Sequence, residues 1–181
     1  GYALQGDNGL TTVTPSGATF ATADVQFVAA GSDGRLVVAR PVGIPLSSDW
    51  AITGPDLADQ RTLDRFDALE EHPVAAAILP RSGRIVLVSN RFGDGSGLAR
   101  IEILSGEGTR EAVIRSGMIA DSIAWSPDET RLAIGGYYYG ANQVRSVVLL
   151  ADSEGATEPI EVPFDHQVRP LGVREGSNGL L

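Results

Sequence analysis

Two histidines, His72 and His166, are the side chains best suited to acid–base or metal chemistry near neutral pH, and each stands beside carboxylates: Glu70 and Glu71 for the first, Asp165 for the second. They lie far apart in the chain, so a shared site needs a fold that converges on a narrow axis. Loop histidines standing alone are ordinarily just solvated. A second candidate is Tyr137-Tyr138-Tyr139, followed by Gly140, Ala141, Asn142 and Gln143. Such rings can stack on a sugar or anchor a protein contact, because tyrosine offers large area at low entropic cost. Consecutive residues of a strand point to opposite faces, however, so one or two of the three serve equally well as packing between elements. A third is the segment from Arg91 to Gly97, with Asp94 among glycines. It lacks the recurring acidic ligands that calcium requires, which favours a flexible hairpin loop.

The candidate ligand- or partner-contacting residues are therefore Tyr137, Tyr138, Tyr139, Asn142, Arg91, Asp94, His72 and His166, with no catalytic residue and no metal ligand among them. No Gly-x-Ser-x-Gly nucleophile elbow is present, and no Ser, His and Asp can be given mutual roles from spacing. Cysteine is absent, which removes disulfides, thiolate nucleophiles and cysteine-ligated metal centres. All 14 basic residues are arginine, so neither a phosphate-loop lysine nor Schiff-base catalysis is available. No cofactor is implied. The net charge of -9 comes without a basic cluster, which disfavours nucleic acid and anionic membrane surfaces as partners. Asp49, Asp56, Asp59, Asp64 and Asp67 read as a solvated acidic surface able to attract a basic partner. The longest apolar runs, such as Val74 to Leu79 and Val147 to Ala151, fall far below the roughly 20 residues that span a bilayer. The chain opens on Gly1 without a signal-like segment, which reads as a processed, tagged or excised chain.

What must position these residues is a repeat. With 22 glycines and 10 prolines spread between short apolar runs, the chain of 181 residues reads as one β-rich structural unit. Three segments match one another: VQFVAAGSDGRLVVAR from Val25, VAAAILPRSGRIVLVSN from Val74 and SIAWSPDETRLAIGG from Ser122. Their marker arginines, Arg35, Arg84 and Arg131, are 49 and 47 residues apart. Each repeat divides into four short strands. In the second these are Val74 to Leu79, Arg84 to Asn90, Leu98 to Leu104 and Arg110 to Arg115, and in the third Ser122 to Ser126, Arg131 to Tyr138, Arg145 to Ala151 and Glu158 to Pro163. The first is less regular, with a third strand around Trp50 to Thr53 and a fourth near Arg61 to Phe66. Leu57 to Glu71 also admits a helical turn or two. Four strands per period of 40 to 50 residues is the pattern of a β-propeller, an all-β fold of four-stranded antiparallel blades. The expected blades cover 25–73, 74–120 and 121–167. A partial or composite fourth would join 168–181 to 1–24, and otherwise the chain is part of a larger propeller.

The segment IAWSPDETRLAIGG, Ile123 to Gly136, resembles the WD40-like repeat of TolB-type propellers. Trp125, Ser126, Pro127, Asp128, Arg131 and Leu132 match that family's pattern, whereas Glu129 and Thr130 stand where a glycine is usual. The turn residues make a hairpin rather than an active site. The resemblance implies that the loops between second and third strands, and those between blades, share one face around a central channel, the usual binding surface. It further implies a periplasmic or extracellular location. The reading is a non-enzymatic scaffold for another protein or a cell-surface component. Alternatives are the propeller portion of a prolyl-oligopeptidase-type serine peptidase, and a carbohydrate-binding propeller using Trp50, Trp125 and the tyrosines.

Overall fold

The computed structural model describes residues 2–6, 9–23, 25–42, 47–67, 71–91, 98–139, 144–155 and 160–164. They form 15 strands: β1 (Tyr2–Gly6), β2 (Gly9–Val13), β3 (Thr19–Thr22), β4 (Gln26–Ala30), β5 (Leu36–Val42), β6 (Ser47–Thr53), β7 (Arg61–Asp67), β8 (Glu71–Ile78), β9 (Ile85–Arg91), β10 (Ala99–Leu104), β11 (Arg110–Ser116), β12 (Ile119–Trp125), β13 (Arg131–Tyr139), β14 (Val144–Asp152) and β15 (Ile160–Phe164). Three sheets are four-stranded meanders, β4-β5-β6-β7, β8-β9-β10-β11 and β12-β13-β14-β15, and every pairing is antiparallel. They are four-stranded antiparallel blades, the architecture expected, with the second beginning at Glu71 and the third at Ile119. Their first strands, β4, β8 and β12, lie next to one another along the inner side.

The packing follows from strand parity. In β10, Ile101 and Ile103 turn towards the third blade and join Leu132, Ile134, Val147 and Leu149 in the largest core cluster. Leu104 turns the other way, towards Trp50, Ile52 and Val37 of the first blade. Each inner strand carries a bulge, with Val28, Val74 and Asp121 unpaired in register, a device that raises local twist where the blades crowd together. Among the described residues, the helical option for Leu57 to Glu71 is not realised. Residues 61–67 form β7, because its alternate side chains find charged partners on both faces: Thr62 and Arg65 meet Asp49 of β6, and Asp64 meets Arg100 of β10.

The N-terminal residues add a sheet of three strands, β1-β2-β3. Three residues separate β3 from β4, as three separate β7 from β8 and two separate β11 from β12. The β2–β3 turn closes with Thr14 N to Ala18 O and Gly17 N to Thr14 O, the pattern that Ser105, Gly108 and Thr109 make between β10 and β11. The short β3–β4 link makes β3 the last strand of a blade, so β1, β2 and β3 hold its second, third and fourth places, and they pack on the first blade through Leu10, Val25, Leu36 and Val38. Residues 168–181, the other part of the expected composite blade, lie outside the described residues.

Candidate functional site

The register brings several of the sequence candidates to one rim. His72 on β8 is exposed and pairs with Asn90, while the adjacent Glu71 pairs with Arg91 on β9. Asn90 then bridges to the next blade: its amide nitrogen donates to Ala120 O at 2.8 Å, and its amide oxygen accepts from Ala120 N at 2.8 Å. Across β12, Ala120 faces Gly136 and Ile119 faces Tyr137. One buried asparagine thus joins the corner holding His72 and Arg91 to the corner holding the tyrosines. Gly136 is required there, since a Cβ would lie 2.2 Å from Ile119 O.

Tyr137 and Tyr138 are half-buried at the end of β13. Tyr138 turns between the second and third blades, where its hydroxyl donates to Glu161 on β15 and Ser116 Oγ donates to the same carboxylate at 2.8 Å. Burial, then the Glu161 contact, pushes the Tyr138 phenol above its ordinary value, so it serves as a donor. Tyr139 lies in β13 opposite Val144, but its side chain, together with Asp94, Asn142 and His166, is outside the described residues. The two tryptophans are poorly placed for a sugar platform: Trp50 is 1% exposed in the core between the first and second blades, and Trp125 packs half-buried on the largest core cluster.

The acidic stretch read as solvated is only partly so. Asp56 and Asp59 are exposed, but the Asp49 side chain is fully buried and clamped by Arg65 Nε at 2.7 Å and Arg40 at 3.3 Å. The strand explains the difference: β6 is buried on both faces and Asp49 sits on the one it shares with Ala51 and Thr53, whereas Asp56 and Asp59 lie in the turn that follows. The Arg65 hydrogen bond outweighs burial and, with Arg40, holds the Asp49 carboxyl below its ordinary value.

Sequence reasoning missed a larger cluster between the first and second blades. Arg100 on β10 meets Asp64 of β7 at 3.4 Å, Glu71 of β8 at 3.1 Å and Glu102 of its own strand at 2.7 Å. Arg110 on β11 contacts the same Glu102 oxygen and reaches Asp64 at 3.4 Å, and Ser89 on β9 donates to Glu71. The available signal was the spacing of Arg100 and Glu102 within an isoleucine-rich strand, which puts both on one face of a buried sheet. On the opposite, turn side of the blades, a cavity of about 370 Å³ opens between the N-terminal sheet and the first blade, lined mainly by Ala3, Val13, Pro15, Leu36 and Pro55, with Asp33 at its rim. Among the described residues no group of His, Cys, Asp and Glu is arranged to hold a metal ion, and no helix is long and apolar enough to cross a membrane.

No family model matches the chain, and no curated protein matches it. Among solved structures, an oligogalacturonate lyase in complex with manganese superposes with a TM-score of 0.53 at 13% sequence identity, over 87% of this chain and 48% of that one. The chain therefore spans about half the length of that protein, and the likeness shows the fold, a β-propeller.

Proposed function

We propose that this propeller is a non-enzymatic scaffold that binds another protein or a cell-surface component on the face formed by the β13–β14 loop and its neighbours, in a periplasmic or extracellular setting. The observation that carries the reading is the loop-side end of the third blade. At nine residues each, β13 and β14 are the longest described strands, and they carry Tyr137 towards a tip where Val144 is 59% exposed beside the exposed Arg145. A half-buried tyrosine and an exposed arginine at one strand end are residue types enriched in protein-contact hot spots, and the exposed Val144 adds apolar area beside them. The acidic balance of the whole chain favours a partner whose contact surface is not itself strongly anionic.

The test is quantitative capture by the immobilised chain, comparing the native sequence with V144D at the tip and E107Q on the opposite turn side. Capture of a defined partner is expected to fall at least about tenfold in V144D, a loss of about 1.4 kcal/mol, and to persist in E107Q, with all three showing the same unfolding midpoint. Equal capture by V144D and the native chain would remove the reading. A peptidase-associated role would instead require a hydrolase partner domain among what is captured.

A further inference from the structure

Three carboxylates and two guanidiniums meet where the outer strand of the first blade lies against the second: Asp64 from β7, Glu71 from β8, Glu102 with Arg100 from β10, and Arg110 from β11. The element between them, β9, contributes the neutral Ser89. Of the nearby ion pairs, Arg61 with Glu107 and Arg84 with Glu111 are balanced in themselves, while Arg65 of β7 turns to the other face of the blade, where it and Arg40 hold Asp49. Fully ionised, the group carries one uncompensated negative charge in a setting where Glu102 is 3% exposed and Glu71 7%. Low-dielectric surroundings make such a charge expensive, and a proton held by one of the carboxyls removes it.

We propose that this cluster is a proton-operated latch between the first two blades, closed when Glu102 holds a proton between Arg100 and Arg110 and loosened when that proton leaves. A β-bulge at residues 63–64 sets the latch. Trp50 pairs with Asp64 and Ala51 with Thr62, so Leu63 and Asp64 both turn towards the second blade, one into its apolar core and the other onto Arg100 and Arg110. Burial, followed by the nearness of Asp64, raises the Glu102 carboxyl to about 7, even though Arg100 and Arg110 pull it down. A carboxyl whose folded value lies above its unfolded one contributes stability that is complete below the unfolded value, near 4.5, and is lost as pH rises through about 7. The window of response therefore covers the approach to neutrality from the acid side.

The experiment is thermal unfolding of the whole chain from pH 5 to pH 8.5, for the native sequence and for E102Q. Glutamine mimics the protonated acid and keeps an oxygen for both arginines. The native chain is expected to lose roughly 5 °C of Tm across that range beyond any change in E102Q, and E102Q is expected to be the more stable of the two at pH 8.5. Parallel profiles for the two chains would overturn the proposal. Carboxyl carbon NMR of the native chain decides independently should E102Q fail to fold. One glutamate resonance titrating with a midpoint near 7 supports the latch, and titration of every carboxyl below pH 6 refutes it.

Discussion

Glu129 occupies a left-handed backbone position, φ 61°, where its side chain costs about 1 kcal/mol relative to glycine. The turns on this side of the blades close in one way, one residue longer at Leu79 to Gly83, and Gly17, Gly34, Gly83, Gly108 and Gly155 hold the left-handed place in five of them. The two exceptions have work for a side chain. Leu57, φ 58°, packs on the core shared with the N-terminal sheet, and Glu129 accepts hydrogen bonds from Arg81 N and Ser82 N in the preceding blade. Burial opposes ionisation of Glu129, yet those amides hold its carboxyl below the ordinary value, so the link persists at neutral pH and weakens only as acid protonates it. Urea unfolding is expected to show E129A destabilised by about 2 kcal/mol, since it loses both bonds and keeps the strained backbone, whereas E129G recovers about 1 kcal/mol of that loss. The sequence exposed the missing glycine but not its reason, because the amides that Glu129 serves lie 47 and 48 residues upstream. Asp49 and Asp64 were misread for a related cause: residue type alone places aspartate in water, and only strand parity and a bulge reveal that both face inward.

At the level of strands and hairpins, the sequence was most informative where apolar runs meet turn chemistry. The second strand of the second blade is buried from Ile85 to Asn90, and the boundaries read for it fall within one residue of β9. The inner strands were harder, because Pro73 interrupts one of them and the bulged Asp121 the other. β12 starts at Ile119 rather than Ser122, and β8 at Glu71 rather than Val74, in both cases extended across a bulge that breaks simple alternation. The candidate rim was legible only in part: Tyr137 and Tyr138 could be placed on a strand end, but the Asn90 bridge beneath them depends on a neighbour from another blade. That bridge needs β12 and β13 to come close at Gly136. G136A is expected to lose about 3 kcal/mol in denaturant unfolding, since its Cβ would press on Ile119 O at 2.2 Å. G117A, whose Cβ would meet only Tyr138 Cε1 at 3.3 Å, is expected to lose about 1 kcal/mol or less.

Across the molecule, the blades share a plan but are joined by different chemistry: Thr12 Oγ1 donating to Pro55 O between the N-terminal sheet and the first blade, the five-group cluster between the first and second blades, and Glu161 with Tyr138 and Ser116 between the second and third. The repeat period announced the plan, while the joints were invisible to it, because each is made from residues that the period does not repeat. The turn between β8 and β9 concentrates this individuality. Arg35 of the first blade donates to Gly83 O, and to Gly106 O in the neighbouring turn, while Glu129 of the third takes the amides of Arg81 and Ser82. A cation on one side receives carbonyls and an anion on the other receives N–H groups, so the middle turn is held by its peptide dipoles and not by an ion pair. Exchanging the charges, R35E together with E129R, is therefore expected to cost at least the sum of the single changes, about 2 kcal/mol or more in unfolding free energy, where a true salt bridge would be restored. It follows that the order of these three modules along the chain has a built-in direction: exchanging the first and third would bring like poles together at the middle turn, so homologous units that look interchangeable in outline are addressed to specific neighbours.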